Sequence, residues 1–126
     1  MACPLALVVD DNKDAAESLA RIIESLGCQA AIVTDPLIAL ATAGQLLPAI
    51  IFLDIGMPGL SGHGLARMLR AKYGWKLCIV AVTGHSEQRD RALSREAGFD
   101  AHLAKPVSVD LIQSTLVTLL PEMRWR

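Results

Sequence analysis

Short apolar runs alternate along this chain with longer segments of helical period. Leu5 to Val9, Gln29 to Val33, Ile50 to Leu53, Leu77 to Val82 and Ala101 to Ala104 are each too short for a stable helix, and most are rich in Val and Ile, so they read as strands. After the first run, Ala16, Leu19, Ala20, Ile23 and Leu26 recur at helical spacing and predict one apolar helix face that ends at Gly27. Asp35 and Pro36 offer an N-cap and a first-turn proline for a second helix, and Pro48 closes that segment. Leu65, Met68 and Leu69 predict the inner stripe of a third helix, which Gly74 can terminate. Ser86 can cap a fourth helix with the thin stripe Ala92, Leu93 and Ala97. Ser108 caps a fifth, with Val109, Ile112, Leu116 and Leu119 inward and Pro121 beyond its end. Regular alternation of strand and helix predicts an α/β fold, a parallel sheet with helices on both faces.

Composition supports one core and narrows the partners. At 126 residues the chain is expected to be a single domain, with its core at about residues 5 to 120. Apolar residues make up 52% and charged residues 20%, enough apolar surface to offset the entropy of folding. The formal net charge is −1 and the basic residues are scattered, so direct binding to nucleic acid or to an anionic membrane is not expected. Cys3, Cys28 and Cys78 lack a metal-ligand spacing and read as reduced thiols, and neither a long apolar span nor a secretory signal is present, so a cytoplasmic location is expected.

The informative polar residues follow the apolar runs. Ligands of an open parallel sheet bind beyond the carboxyl ends of its strands. Asp10 and Asp11 follow the first strand, Asp54 the third, Thr83 the fourth and Lys105 the fifth. If the first and third strands are neighbours, three carboxylates crowd together and raise one another's pKa unless a cation intervenes. Oxygen ligands of this kind suit Mg²⁺, with Mn²⁺ as a substitute, and a carboxylate beside the metal and Lys105 can attack phosphorus. Thr83 can donate a hydrogen bond to the transferring group.

These residues resemble the receiver domains of bacterial response regulators and hybrid histidine kinases. VVDDN carries the acidic pair Asp10 and Asp11, LDIGMPGLSG matches the pattern D-x-x-M-P-x-x-x-G from Asp54, AVTG carries Thr83, and HLAKP carries Lys105. The resemblance covers almost the whole chain. It implies a flavodoxin-like doubly wound sheet of five strands in the order 2-1-3-4-5 with five helices. It implies a phosphoacceptor Asp54 that takes a phosphoryl group from the phosphohistidine of a histidine kinase or a histidine phosphotransfer protein. Asp11, Asp54 and the backbone carbonyl of Gly56 are then direct metal ligands with Asp10 close by, Lys105 pairs with the phosphoryl group, and the Lys105–Pro106 bond is cis. Thr83 moves towards the phosphoryl group and frees space for a rotating side chain. The family usually has Tyr or Phe at that place, and here it is His102. A downstream protein target or an attached output domain would read the switch. The sequence ends after the fifth helix, so a stand-alone receiver and a piece of a hybrid kinase or larger regulator are both open.

Plainer uses exist for each residue. Asp10 and Asp11 can cap the first helix, Asp54 can open a loop, Thr83 can cap a turn, Lys105 can be an ordinary solvated lysine, and His102 can be a half-buried strand residue that titrates near neutrality. Joint placement at four strand ends favours the chemical reading. A flavodoxin-like cofactor binder would offer NH groups and hydroxyls in its first loop where this chain has Asp10 and Asp11. An aspartyl phosphatase would want an acid two positions after Asp54, where Gly56 stands. The remaining alternative is a docking module on the same fold that works without phosphorylation.

Overall fold

β1 (Leu5–Val9), β2 (Gln29–Val33), β3 (Ile50–Asp54), β4 (Cys78–Thr83) and β5 (Ala101–Ala104) pair in parallel in the order β2-β1-β3-β4-β5, the order the resemblance implied. The structure, a computed structural model, describes residues 4–56, 62–84 and 98–121. Parallel neighbours need long crossovers, and the intervening segments supply α1 (Lys13–Ser25), α2 (Pro36–Leu46), α3 (Gly62–Tyr73) and α4 (Val109–Leu119). The helix expected from Ser86 lies outside the described residues. The four described helices are therefore the predicted first, second, third and fifth.

Period-two alternation along the strands builds two cores. Leu7, Val9, Ile51, Leu53 and Ile79 face α2 and α3, meeting Ala39, Ala43, Leu65 and Leu69. Ala6, Val8, Ile50, Phe52 and Val80 face the other way, against Leu19 and Ile23 of α1 and Ile112 and Leu116 of α4. Burial on both faces is why these strands read as continuous apolar runs. The ladders outlast the apolar runs by a residue: Asp54 pairs with Val82 and Thr83 with Ala104. Backbone hydrogen bonds carry the ladder whatever the side chain, so two residues expected after strands are their last members.

The caps fall largely where the side chains predict. Asp35 accepts from Leu37 N–H at 2.9 Å with Pro36 in the first turn of α2, and Ser108 accepts from Leu111 N–H at 3.1 Å. Gly27 and Gly74 follow α1 and α3 with φ of 99° and 72°, a left-handed conformation that glycine adopts at little cost. The plainer use of Asp10 and Asp11 as caps falls away, because Asn12 caps α1, accepting from Ala15 N–H at 3.1 Å. Two expectations need correction. Met68 is 45% exposed because Leu65, Ala66 and Leu69 fill the inner stripe of α3, with small Ala66 set close to the core. Val109 is 48% exposed in the first turn of α4, and Thr115 takes an inward place instead, its hydroxyl donating to Leu111 O at 2.8 Å.

Arg70 ties the start of β5 to the end of α3. Its guanidinium donates to Gly98 O, Gly74 O and Leu77 O and pairs with Asp100 at 2.9 Å, while Asp100 also accepts from Ile79 N–H at 2.8 Å. Removing the donors strands several part-buried acceptors. Arg70→Ala is expected to cost about 3 kcal/mol of folding stability and Asp100→Asn about 1 kcal/mol, measured by urea unfolding. A loss below about 0.5 kcal/mol for Arg70→Ala would mean that water satisfies those carbonyls.

Candidate functional site

Strand register brings the predicted residues to one edge. Val9 pairs with Leu53, Asp54 with Val82 and Thr83 with Ala104, so the next residues of β1 and β5, Asp10 and Lys105, stand beside Asp54 and Thr83. Asp10 N–H donates to Val33 O at 3.1 Å and Lys105 N–H to Thr83 O at 2.7 Å, which fixes both main chains. The Lys105–Pro106 peptide is cis, as the resemblance implied.

Carboxylate oxygens of Asp10, Asp11 and Asp54 all lie within 4.8 Å of one another. Asp10 Oδ1 accepts from Asn12 N–H at 2.9 Å, and Asp54 Oδ1 accepts from Gly56 N–H at 2.9 Å. Lys105 Nζ donates to Asp10 Oδ2 at 3.1 Å and lies 3.6 Å from Asp54 Oδ2. The lysine thus stands nearer to Asp10 than to the expected acceptor. Among the described residues the buried polar side chains are Asp10, Thr83 and Thr115, and the first two are at this edge. Gly56 is exposed in the turn after β3. His102 lies one residue into β5 opposite Ala81, so it shares the α2 and α3 face of the sheet and is half-buried.

Burial raises the pKa of Asp54 above the ordinary carboxylate value of 3.8; the Gly56 N–H bond opposes it, the Asp10 charge adds to it, and Lys105 offsets part of it. Burial pulls the Lys105 pKa down, but the hydrogen bond and charge of Asp10 and the charge of Asp54 outweigh it, and the net shift is upward. Lys105 therefore stays cationic while Asp54 carries an electrostatic strain that one ammonium only partly relieves. A hard divalent cation fits this donor set: three carboxylates in reach of one point, with a net charge that one lysine does not cancel.

A cleft of about 410 Å³ opens beside the acids, walled by Leu19 and Ile22 of α1, Phe52 and Val82 of the sheet, and Val107 beyond β5, with Asp10, Asp54 and Lys105 at one end. Sequence reasoning missed this cleft and the Asn12 cap. The cap was legible, since Asn caps as well as Asp; the cleft depends on how α1 and the segment after β5 sit on the sheet, which no local pattern encodes.

Comparisons with known proteins bear on the family and the fold. The family model described as the response regulator receiver domain matches residues 6–117. The DNA-binding response regulator MtrA of Mycolicibacterium paratuberculosis is 35% identical over 100 residues, a match covering 79% of this chain and 44% of that protein. A putative response regulator from Chloroflexus aurantiacus superimposes with a TM-score of 0.89 at 24% identity, covering 95% of this chain and 99% of that one. The chemotaxis protein CheY4 of Vibrio cholerae gives 0.87 at 22% identity, over 94% and 99%. The chain belongs to the response regulator receiver family, whose domains serve two-component signalling and bind Mg²⁺ at an acidic pocket. It spans less than half the length of the curated MtrA relatives it matches.

The raised Asp54 pKa sets a sign for stability. The folded state holds this proton more tightly than the unfolded chain, so stability is fully present below the unfolded value and falls as pH rises through the folded one. Asp54→Asn is expected to raise the thermal midpoint at pH 7 in metal-free buffer, and the gain should shrink as pH falls towards the unfolded value, near 3.8. Mg²⁺ should then stabilise the wild type and leave the Asn variant nearly unmoved. Equal metal-free midpoints at pH 7, by calorimetry, would count against the strain.

Proposed function

We propose that Asp54 is the phosphoacceptor of a two-component phosphorelay and that its phosphorylation switches a protein-interaction surface on β5 and α4. The observation that carries this is the position of Asp54, packed with Asp10 and Asp11 and facing the ammonium of Lys105. Asp11, Asp54 and the Gly56 carbonyl are proposed to hold the metal directly, with Asp10 in support, and Mg²⁺ or Mn²⁺ bound there would neutralise charge on the phosphoryl oxygens. A carboxylate oxygen of Asp54 attacks phosphorus, the P–N bond of a phosphohistidine breaks, and the imidazole leaves with its electron pair. Lys105 must turn from Asp10 towards the phosphoryl oxygens, a short move given its 3.6 Å distance from Asp54. The product is an acyl phosphate, which the domain itself helps to hydrolyse.

A histidine kinase or histidine phosphotransfer protein is the proposed donor, with the cleft beside α1 able to receive an apolar side chain next to the phosphohistidine. Thr83, buried at the edge, is the proposed sensor of the phosphoryl group, and His102 on the adjacent strand the proposed relay. A downstream protein or an attached output domain reads the change, and no direct contact with nucleic acid or membrane is proposed for this domain. No helix among the described residues is long and apolar enough to cross a membrane. A cytoplasmic location is proposed with the family.

Intact-mass analysis after acetyl phosphate treatment tests the acceptor. A phosphoryl adduct is expected on the wild type with Mg²⁺, and none on Asp54→Asn or without the metal. Failure with acetyl phosphate and then with phosphorylated kinases would leave the docking module as the better reading. Beryllofluoride is expected to shift amide resonances of β5 and α4, and His102→Ala to reduce that shift. An undiminished shift in the variant would make His102 structural.

A further inference from the structure

The outer face of α3 and the turn after it carry a cationic, aromatic surface that the phosphoryl site does not use. From Ile55 to Gly84 the sequence contains no Asp or Glu, while Arg67, Arg70, Lys72 and Lys76 fall within it. Arg70 is consumed by the carbonyls of Gly74, Leu77 and Gly98 and by Asp100. Arg67, Lys72 and Lys76 are exposed and make no ion pair among the described residues. Met68 on α3 and Trp75 in the turn after Gly74 are 45% and 69% exposed, and both lie among these cations in the sequence. Trp75 is not loose: the Arg70 guanidinium lies 4.1 Å from its ring centroid, and Arg70 is itself held by its four partners.

We propose that this face docks an acidic amphipathic segment of a protein partner. Exposed Trp and Met accompanied by cations is the composition of a protein interface, and an indole already held against Arg70 loses little entropy on binding. Three exposed cations and a chain net charge of −1 are too little for a nucleic acid backbone or an anionic bilayer, whereas they match a short segment with a few carboxylates. Two exposed apolar side chains and three cations make a patch smaller than a standard interface of about 800 Å² per partner, so binding is weak and salt-sensitive. α3 runs from the Asp54 edge back to the start of β4, which places Trp75 at the opposite edge of the sheet from the acids. Docking here is independent of the phosphoacceptor reading and proceeds whether or not Asp54 is modified.

The test uses Trp125→Phe protein, in which Trp75 is the remaining tryptophan. The probes are a labelled amphipathic 16-residue peptide with Glu on its polar face and Leu on the other, its Lys twin, an oligo-dT strand and phosphatidylglycerol vesicles. The acidic peptide is expected to shift Trp75 emission and to bind about tenfold more weakly to Lys72→Glu/Lys76→Glu or in 300 mM salt. Trp75→Ala, followed by anisotropy of the label, should lose binding, while Asp54→Asn should keep it. The idea is overturned if both peptides bind alike or neither binds, if binding survives the Trp75 and lysine substitutions, or if oligo-dT or vesicles bind in preference.

Discussion

Two carboxylates and one ammonium sharing a sheet edge set the terms for the rest of this protein. Lys105 stands 3.1 Å from Asp10 and 3.6 Å from Asp54, and Asp11 brings a third carboxylate within reach. Like charges at that range repel, and burial makes each charge dearer to keep. The fold tolerates the cluster because the strands leading to the carboxylates are paired on both sides, β1 between β2 and β3 and β3 between β1 and β4, while Lys105 follows β5, paired with β4 alone. What strain remains on Asp54 is the quantity that a cation relieves and that a phosphoryl group would rearrange.

The sheet carries this cluster because it is buried on both faces. Alternate residues of β1, β3 and β4 enter opposite cores, so a register slip of one residue would turn every side chain to the wrong side. Register is thereby pinned by the interior, and the polar edge inherits its geometry. The Arg70 clasp does comparable work where β5 begins, since Gly98 and Asp100 lead into the strand that ends at Lys105. Position at the acidic edge therefore depends on hydrogen bonds made at the other edge.

Much of this was legible because the information is local. Runs such as Ile50 to Leu53 and caps such as Asp35 and Ser108 act within a few residues, and the residues closing four runs fall on one edge as soon as the strands are parallel. Errors arose where the outcome depends on what faces a residue. Met68 has the spacing of an inner stripe, yet Leu65, Ala66 and Leu69 are the buried side of α3 and Met68 lies outside it. Val109 continues the stripe of α4 but sits beyond the core's edge. The partnership of Lys105 with Asp10, the cleft beside α1 and the Arg70–Trp75 stack join residues distant in sequence or depend on a turn's shape, and a one-dimensional pattern holds no trace of those distances.

The distribution of charge along the chain gains meaning from the topology. The acids of the site stand just after β1 and at the last residue of β3, whereas the stretch from Ile55 to Gly84 has no acid and places its cations on the return helix and the turn beyond it. In a parallel sheet, a helix that leaves one edge must arrive at the other, so a bias along the sequence becomes a separation in space. The acids end at the edge where a metal and a phosphoryl group fit, and the exposed cations end at the far edge around Trp75. Two surfaces of opposite sign, held roughly a strand's length apart, need not compete for one partner, and the Arg70 clasp that fixes Trp75 also anchors the approach to Lys105.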